Sequence, residues 1–267
     1  MDLRFASSSL LAMTQSGSKY SYQMLTKNTI KQIASLRQQK FRKEHGLFVV
    51  EGRKMVEELL QSDFDTVGLY ATEAFLADYP AFDKAEIVSE IQMEQMSGQD
   101  TPSGILAVVR IPKQGEIKTT ARLVLALDGI ANPGNMGTLI RTAEWFGIRD
   151  MVCSMDCVEL WNPKVVQATM GSLFRVKVWK TELPDYLLQA KSEGKAVYGA
   201  LLEGKNLFQM TEKPEGILVI GSESHGIRAE VLPCITHPIT IPRAGGSLTE
   251  SLNAAVAGGI LMAEMTK

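Results

Sequence analysis

Apolar residues first recur at helical spacing through 27–43, where Ile30, Ile33, Ala34 and Leu36 share one face. A short apolar run at 47–50 then predicts a strand, 51–60 a helix, 67–70 a strand and 104–109 a second, buried strand. Turn residues and charge interrupt the pattern after Ile111-Pro112. The predicted boundaries are therefore a small α/β domain over 21–112, a linker over 113–121, and a second domain over 122–267. In that second domain, short apolar runs at 123–127, 151–153, 196–200, 217–220 and 239–241 alternate with helical stretches. Such alternation predicts an α/β fold with a mostly parallel sheet covered by helices, whose ligands would bind beyond the carboxyl ends of the strands. The Ser-rich residues 1–20 have few large apolar side chains and are expected to be poorly ordered.

Composition changes this picture only a little. With 267 residues, 45% of them hydrophobic and 22% charged, the chain can bury two ordinary cores. No run approaches the roughly 18 apolar residues of a membrane span and no secretory pattern opens the chain, so a cytoplasmic protein with no membrane partner is expected. Cys153, Cys157 and Cys234 lack metal-ligand or redox spacing, which predicts reduced, mostly buried thiols and no metal. The formal charge is only -2, yet nine Lys and Arg fall between Lys19 and Lys54. That stretch, which includes Arg37, Arg42 and Arg53, reads equally as a phosphate-tracking patch or a solvated helix face.

Three blocks carry the candidate chemistry. They are Asn132-Pro133-Gly134-Asn135-Met136-Gly137 running into Arg141, Gly221-Ser222-Glu223-Ser224-His225-Gly226, and Ser251-Leu252-Asn253. Each sits where an apolar, strand-like run ends, so together they are expected to line one cleft. Neither a dinucleotide fingerprint nor a P-loop occurs. A serine hydrolase is disfavoured because no GxSxG elbow is present and only His45, His225 and His237 are available as bases. Taken singly, the blocks also read as a tight turn, a helix-capping turn and a close helix-packing face.

Read in order, N-x-G-x-x-x-R-T-A (135–143), G-x-E-x-x-G (221–226) and I-P followed by S-L-N (241–253) resemble the SpoU/TrmH family of RNA ribose 2'-O-methyltransferases, in the SPOUT superfamily. The stretch Phe48-Val49-Val50-Glu51-Gly52-Arg53-Lys54 is similar to the substrate-binding domain that many members carry ahead of the catalytic one. The resemblance implies a trefoil-knotted C-terminal domain, S-adenosylmethionine as cofactor, an rRNA or tRNA substrate and a homodimer through that domain. It also implies cofactor contacts near Gly221, Ile241 and Leu252, with Ala200 and Leu201 as further candidates. Arg141 corresponds to the family's catalytic arginine. An arginine makes a poor base, so its expected role is to clamp a phosphate and stabilise the developing alkoxide. Asn135 and Asn253 would position the ribose and the loops, Glu223 would hold Arg141 or a loop backbone, and Ser251 would hydrogen-bond nearby. Arg243 stands where members usually carry methionine, and the link from there to Ser251 is longer than usual. The rival expectation is a non-catalytic RNA-binding or assembly factor with a degenerate cofactor site.

Overall fold

A computed structural model describes residues 25–211 and 214–267. The expectation of disorder over 1–20 therefore lies outside the described residues. In chain order the first domain comprises α1 (Lys27–Ser35), α2 (Gln39–His45), β1 (Leu47–Glu51), α3 (Arg53–Leu60), β2 (Thr66–Thr72), α4 (Glu73–Asp78), β3 (Glu86–Val88), α5 (Glu90–Met96) and β4 (Ile105–Arg110). Residues 111–121 form no helix or strand. The second domain comprises β5 (Leu123–Asp128), α6 (Pro133–Trp145), β6 (Asp150–Ser154), α7 (Pro163–Ala168), β7 (Lys177–Thr181), α8 (Leu183–Ser192), β8 (Val197–Asn206), β9 (Gly216–Gly221), β10 (His237–Thr240) and α9 (Ala254–Thr266).

The first sheet has the order β1-β4-β2-β3, in which only β2 and β3 run parallel. The period of two along β1 explains its two cores. Leu47 and Val49 pack with Ile33 and Leu36 beside α1 and with Met93 and Met96 of α5, whereas Phe48 and Val50 pack with Val56 and Leu59 of α3. The second sheet is parallel throughout, in the order β10-β8-β9-β5-β6-β7. Its central strand β5 is buried along its whole length. Leu123, Leu125 and Leu127 face α6 and α9, while Val124 and Ala126 face Leu183, Leu187 and Ala190 of α8. A three-layer sandwich follows from a strand that is apolar on both sides.

The structure departs from the sequence pattern in several places, α4, β3 and α5 among them, which fall between the strands predicted at 67–70 and 104–109. The single helical stretch over 27–43 is two helices, because Arg42 turns back to donate to the carbonyls of Leu36 (2.7 Å) and Arg37 (2.8 Å), satisfying the groups that the end of α1 leaves open. The helix predicted over 51–60 starts at Arg53, since Glu51 stays in β1 and accepts from the Ser97 hydroxyl and, at 2.9 Å, from Gly98 N–H. β8 extends to Asn206, well past the apolar run that marks its start. β7 went unpredicted because only Val178 and Trp179 of its five residues are apolar, the remainder being the polar residues of a strand at the sheet's outer edge.

The domains share a packed boundary. Phe48 meets Trp161 in a tilted contact with ring centroids 4.7 Å apart and Phe64 meets Phe174 edge to face at 5.3 Å, with Val166 and Leu173 in the same core. Arg42 is only 2% exposed and ion-pairs with Glu159 across this boundary. It therefore belongs to the interior, a correction to its place in the basic stretch. Arg37 likewise donates to Gln95 and Ser97 carbonyls, and Arg53 pairs with Glu57. Lys27, Lys31, Lys40, Lys43 and Lys54 remain exposed. Replacing Arg42 with methionine removes the partner of a nearly buried carboxylate and of two carbonyls. The urea midpoint should fall by the equivalent of about 3 kcal/mol, within the range for breaking one side of a buried pair.

Candidate functional site

The three blocks meet where the N-termini of α6 and α9 converge with the turn after β9. Asn132 caps α6 by accepting from Asn135 N–H at 3.1 Å, and Pro133 occupies the first helical position, where a missing N–H costs nothing. Asn253 caps α9 by accepting from Ala255 N–H (3.0 Å) and Val256 N–H (3.2 Å). That commits its oxygen, so its Nδ2 points away from the helix and donates to Asn135 Oδ1 at 3.0 Å and Glu223 Oε1 at 3.2 Å. Asn135 Nδ2 also donates to Glu223. The carboxylate thus stands at the positively polarised ends of two 13-residue helices.

The Glu223 turn is held from below. Ser222 and Gly226 exchange backbone hydrogen bonds of 3.1 and 2.9 Å. Directly after it, Arg228 donates through its backbone N–H (2.8 Å) and Nε (2.7 Å) to Asp128, a fully buried carboxylate at the end of β5. On the α6 side, Ile130 N–H donates to Cys157 Sγ at 3.2 Å. A hydrogen bond from Cys153 brings the Cys157 thiol down to about 7 against the opposing effect of burial. Neither support was anticipated. Asp128 is the one visible signal, as a charged residue ending an otherwise apolar run.

Beyond the carboxyl ends of β8, β9 and β10 lies a cavity of about 680 Å³. Ala200, Leu201, Gly221, Ile241 and Leu252, all five predicted cofactor contacts, line it, together with Glu223 and Ser251. The volume suits a nucleoside-sized ligand, and the aliphatic wall suits an adenine face and a methyl group. Ser251 is exposed and forms no hydrogen bond among the described residues, in contrast to the bond expected for it. Asn135 and Arg141 do not line the cavity. Arg141 is exposed on α6 and has no ion-pair or hydrogen-bond partner among the described residues. The expected link from Glu223 to Arg141 is thus replaced by the links from Glu223 to Asn135 and Asn253, because those amides sit on the two helix ends that flank the turn. Arg243 donates to Thr249 O at 3.0 Å and braces its own loop. The close-packing reading of the third block also holds, since a Cβ on Gly258 would lie 2.4 Å from Leu139, whereas the first block opens α6 instead of making a tight turn and Gly226 closes a bridge to Ser222 instead of capping a helix.

Glu223→Gln keeps the shape of the turn but removes the charge that two amides and two helix ends address. Turnover per KM should drop about tenfold, with binding of a cationic ligand in the cavity weakened by no more than about twofold, readable by parallel kinetics and calorimetry.

Residues 122–263 match the SpoU rRNA Methylase family, and residues 27–107 match the MRM3-like substrate binding domain. The chain is 31% identical over 236 residues to the 23S rRNA (guanosine(2553)-2'-O)-methyltransferase RlmP of Bacillus subtilis, covering 87% of this chain and 94% of that one. Among solved structures it is similar to one assigned to the TrmH family of RNA methyltransferases from Porphyromonas gingivalis, at 39% identity and TM-score 0.82 over 91% of this chain and 98% of that one. It is also similar to an AdoMet-bound rRNA methyltransferase from Sinorhizobium meliloti, at 25% identity and TM-score 0.76 over 91% and 95%.

Proposed function

The chain belongs to the SpoU rRNA methylase family, and from that premise we propose that it transfers the methyl group of S-adenosylmethionine to a ribose 2'-hydroxyl of rRNA or tRNA. The observation that carries this is the meeting of Asn135, Glu223 and Asn253 at the edge of a cavity walled by Ala200, Leu201, Gly221, Ile241 and Leu252. When bound against Ala200, Leu201, Gly221, Ile241 and Leu252, the cofactor would supply an activated methyl group for the ribose 2'-oxygen and would leave as S-adenosylhomocysteine. The protein's part is alignment and charge. The aliphatic wall holds the cofactor, Ser251 offers a free hydroxyl at the cavity, and the Asn–Glu–Asn cluster fixes the loops around the ribose. Arg141 clamps the adjacent phosphate and stabilises the oxygen as its proton leaves to that phosphate or to water.

The exposed Lys27, Lys31, Lys40, Lys43 and Lys54 support RNA binding by the first domain. In this reading the second domain is knotted, supported by the path from edge strand β10 back to α9, which packs against α6. It also dimerises through α9, supported by the apolar residues Val256, Gly259, Ile260 and Ala263, which that helix leaves incompletely buried. No helix among the described residues is long and apolar enough to cross a membrane, and an RNA substrate supports a place in the cytoplasm.

Incubation with methyl-labelled cofactor and unmodified bacterial RNA should leave label in alkali-resistant dinucleotides of either the rRNA or the tRNA fraction. Label absent from both, with no cofactor binding, would overturn the proposal in favour of an RNA-binding assembly factor.

A further inference from the structure

Three acidic residues line the cavity from separate elements: Glu203 from the extended part of β8, Glu223 from the turn after β9, and Glu250 from the loop ahead of α9. No Lys or Arg is among the lining residues. None of the three carboxylates forms an ion pair among the described residues, and the partners of Glu223 are neutral amides. His225 also lines the cavity, its ring bonded to the Ser224 hydroxyl at 2.8 Å, and the Arg243 guanidinium is directed at the Thr249 carbonyl, in the loop that carries Glu250. A concave, largely aliphatic wall carrying uncompensated negative charge focuses a negative potential into its mouth.

That potential acts differently on the two forms of the cofactor. S-adenosylmethionine has a carboxylate, an ammonium and a sulfonium, so it carries one net positive charge. S-adenosylhomocysteine keeps the first two groups but has a neutral thioether, and its net charge is zero. We propose that Glu203 and Glu250 make this cavity select the charged methyl donor over its neutral product, binding one more tightly and releasing the other after transfer. The inference rests on the methyltransferase reading above. Glu223 contributes to the same field, but its bonds to Asn135 and Asn253 make it unsuitable as a probe. Glu203 and Glu250 are exposed, so each contributes through screened attraction of modest size.

The test is calorimetric titration of the full chain with three ligands: S-adenosylmethionine, S-adenosylhomocysteine and sinefungin, whose protonated amine replaces the sulfonium. The wild-type chain should bind the two cationic ligands more tightly than the neutral one, with the difference shrinking as salt is raised. In E203Q/E250Q, Kd for both cationic ligands should rise about fivefold, while that for S-adenosylhomocysteine stays within about twofold. Parallel weakening of all three ligands, or no change in any, would overturn the charge-selection inference while leaving the cofactor assignment intact. Failure of the wild-type chain to bind any of them would instead overturn the cofactor assignment, and the inference with it.

Discussion

Replacing Arg141 with alanine is expected to lower kcat by roughly 10²–10³, the usual loss when one preorganised group facing developing charge is removed. Cofactor Kd should stay unchanged, because Arg141 does not line the cavity. The guanidinium has no ion-pair or hydrogen-bond partner among the described residues, so its removal should cost little stability and the kinetic effect can be read cleanly. Lysine keeps the charge but loses the planar fork that addresses two phosphate oxygens together. Arg141→Lys should therefore recover only part of the loss. The decisive measurement is single-turnover methylation at saturating RNA and cofactor. Full turnover by the lysine variant would eliminate the phosphate clamp.

Gly221→Ala should weaken cofactor binding by roughly 30- to 100-fold, equivalent to about 2–3 kcal/mol. A Cβ at this position would lie 2.1 Å from the carbonyl carbon of Gly226 and 2.3 Å from Ile227 N, both backbone atoms that cannot rotate aside. The Ser222–Gly226 bridge must open to admit it, which displaces the cavity wall and Glu223 together. Far-ultraviolet dichroism should stay close to wild type, because the strain is confined to one turn. Calorimetry with S-adenosylmethionine reads the loss. An unchanged Kd would mean that this wall does not touch the cofactor.

Much of this protein was legible in the chain itself. The runs over 123–127 and 217–220 are strands because continuous apolar sequence of that length can be satisfied only by burial on both faces, and β5 and β9 are the sheet's inner pair. Gly221, Ile241 and Leu252 were legible as cavity positions through the family resemblance of their motifs, and Ala200 and Leu201 only as the end of an apolar run. What needed the tertiary structure was every partnership between distant residues. Glu223 faces Asn135 and Asn253 only because α6 and α9 end side by side, and no local spacing encodes that meeting. Arg42 looks like one more basic residue until the second domain supplies Glu159, 117 positions away. Periodicity records which face of an element is apolar, and motifs record what chemistry a segment carries. Charge pairing between segments is decided by packing, because a carboxylate or guanidinium has the same sequence signature whether it meets water or a buried partner.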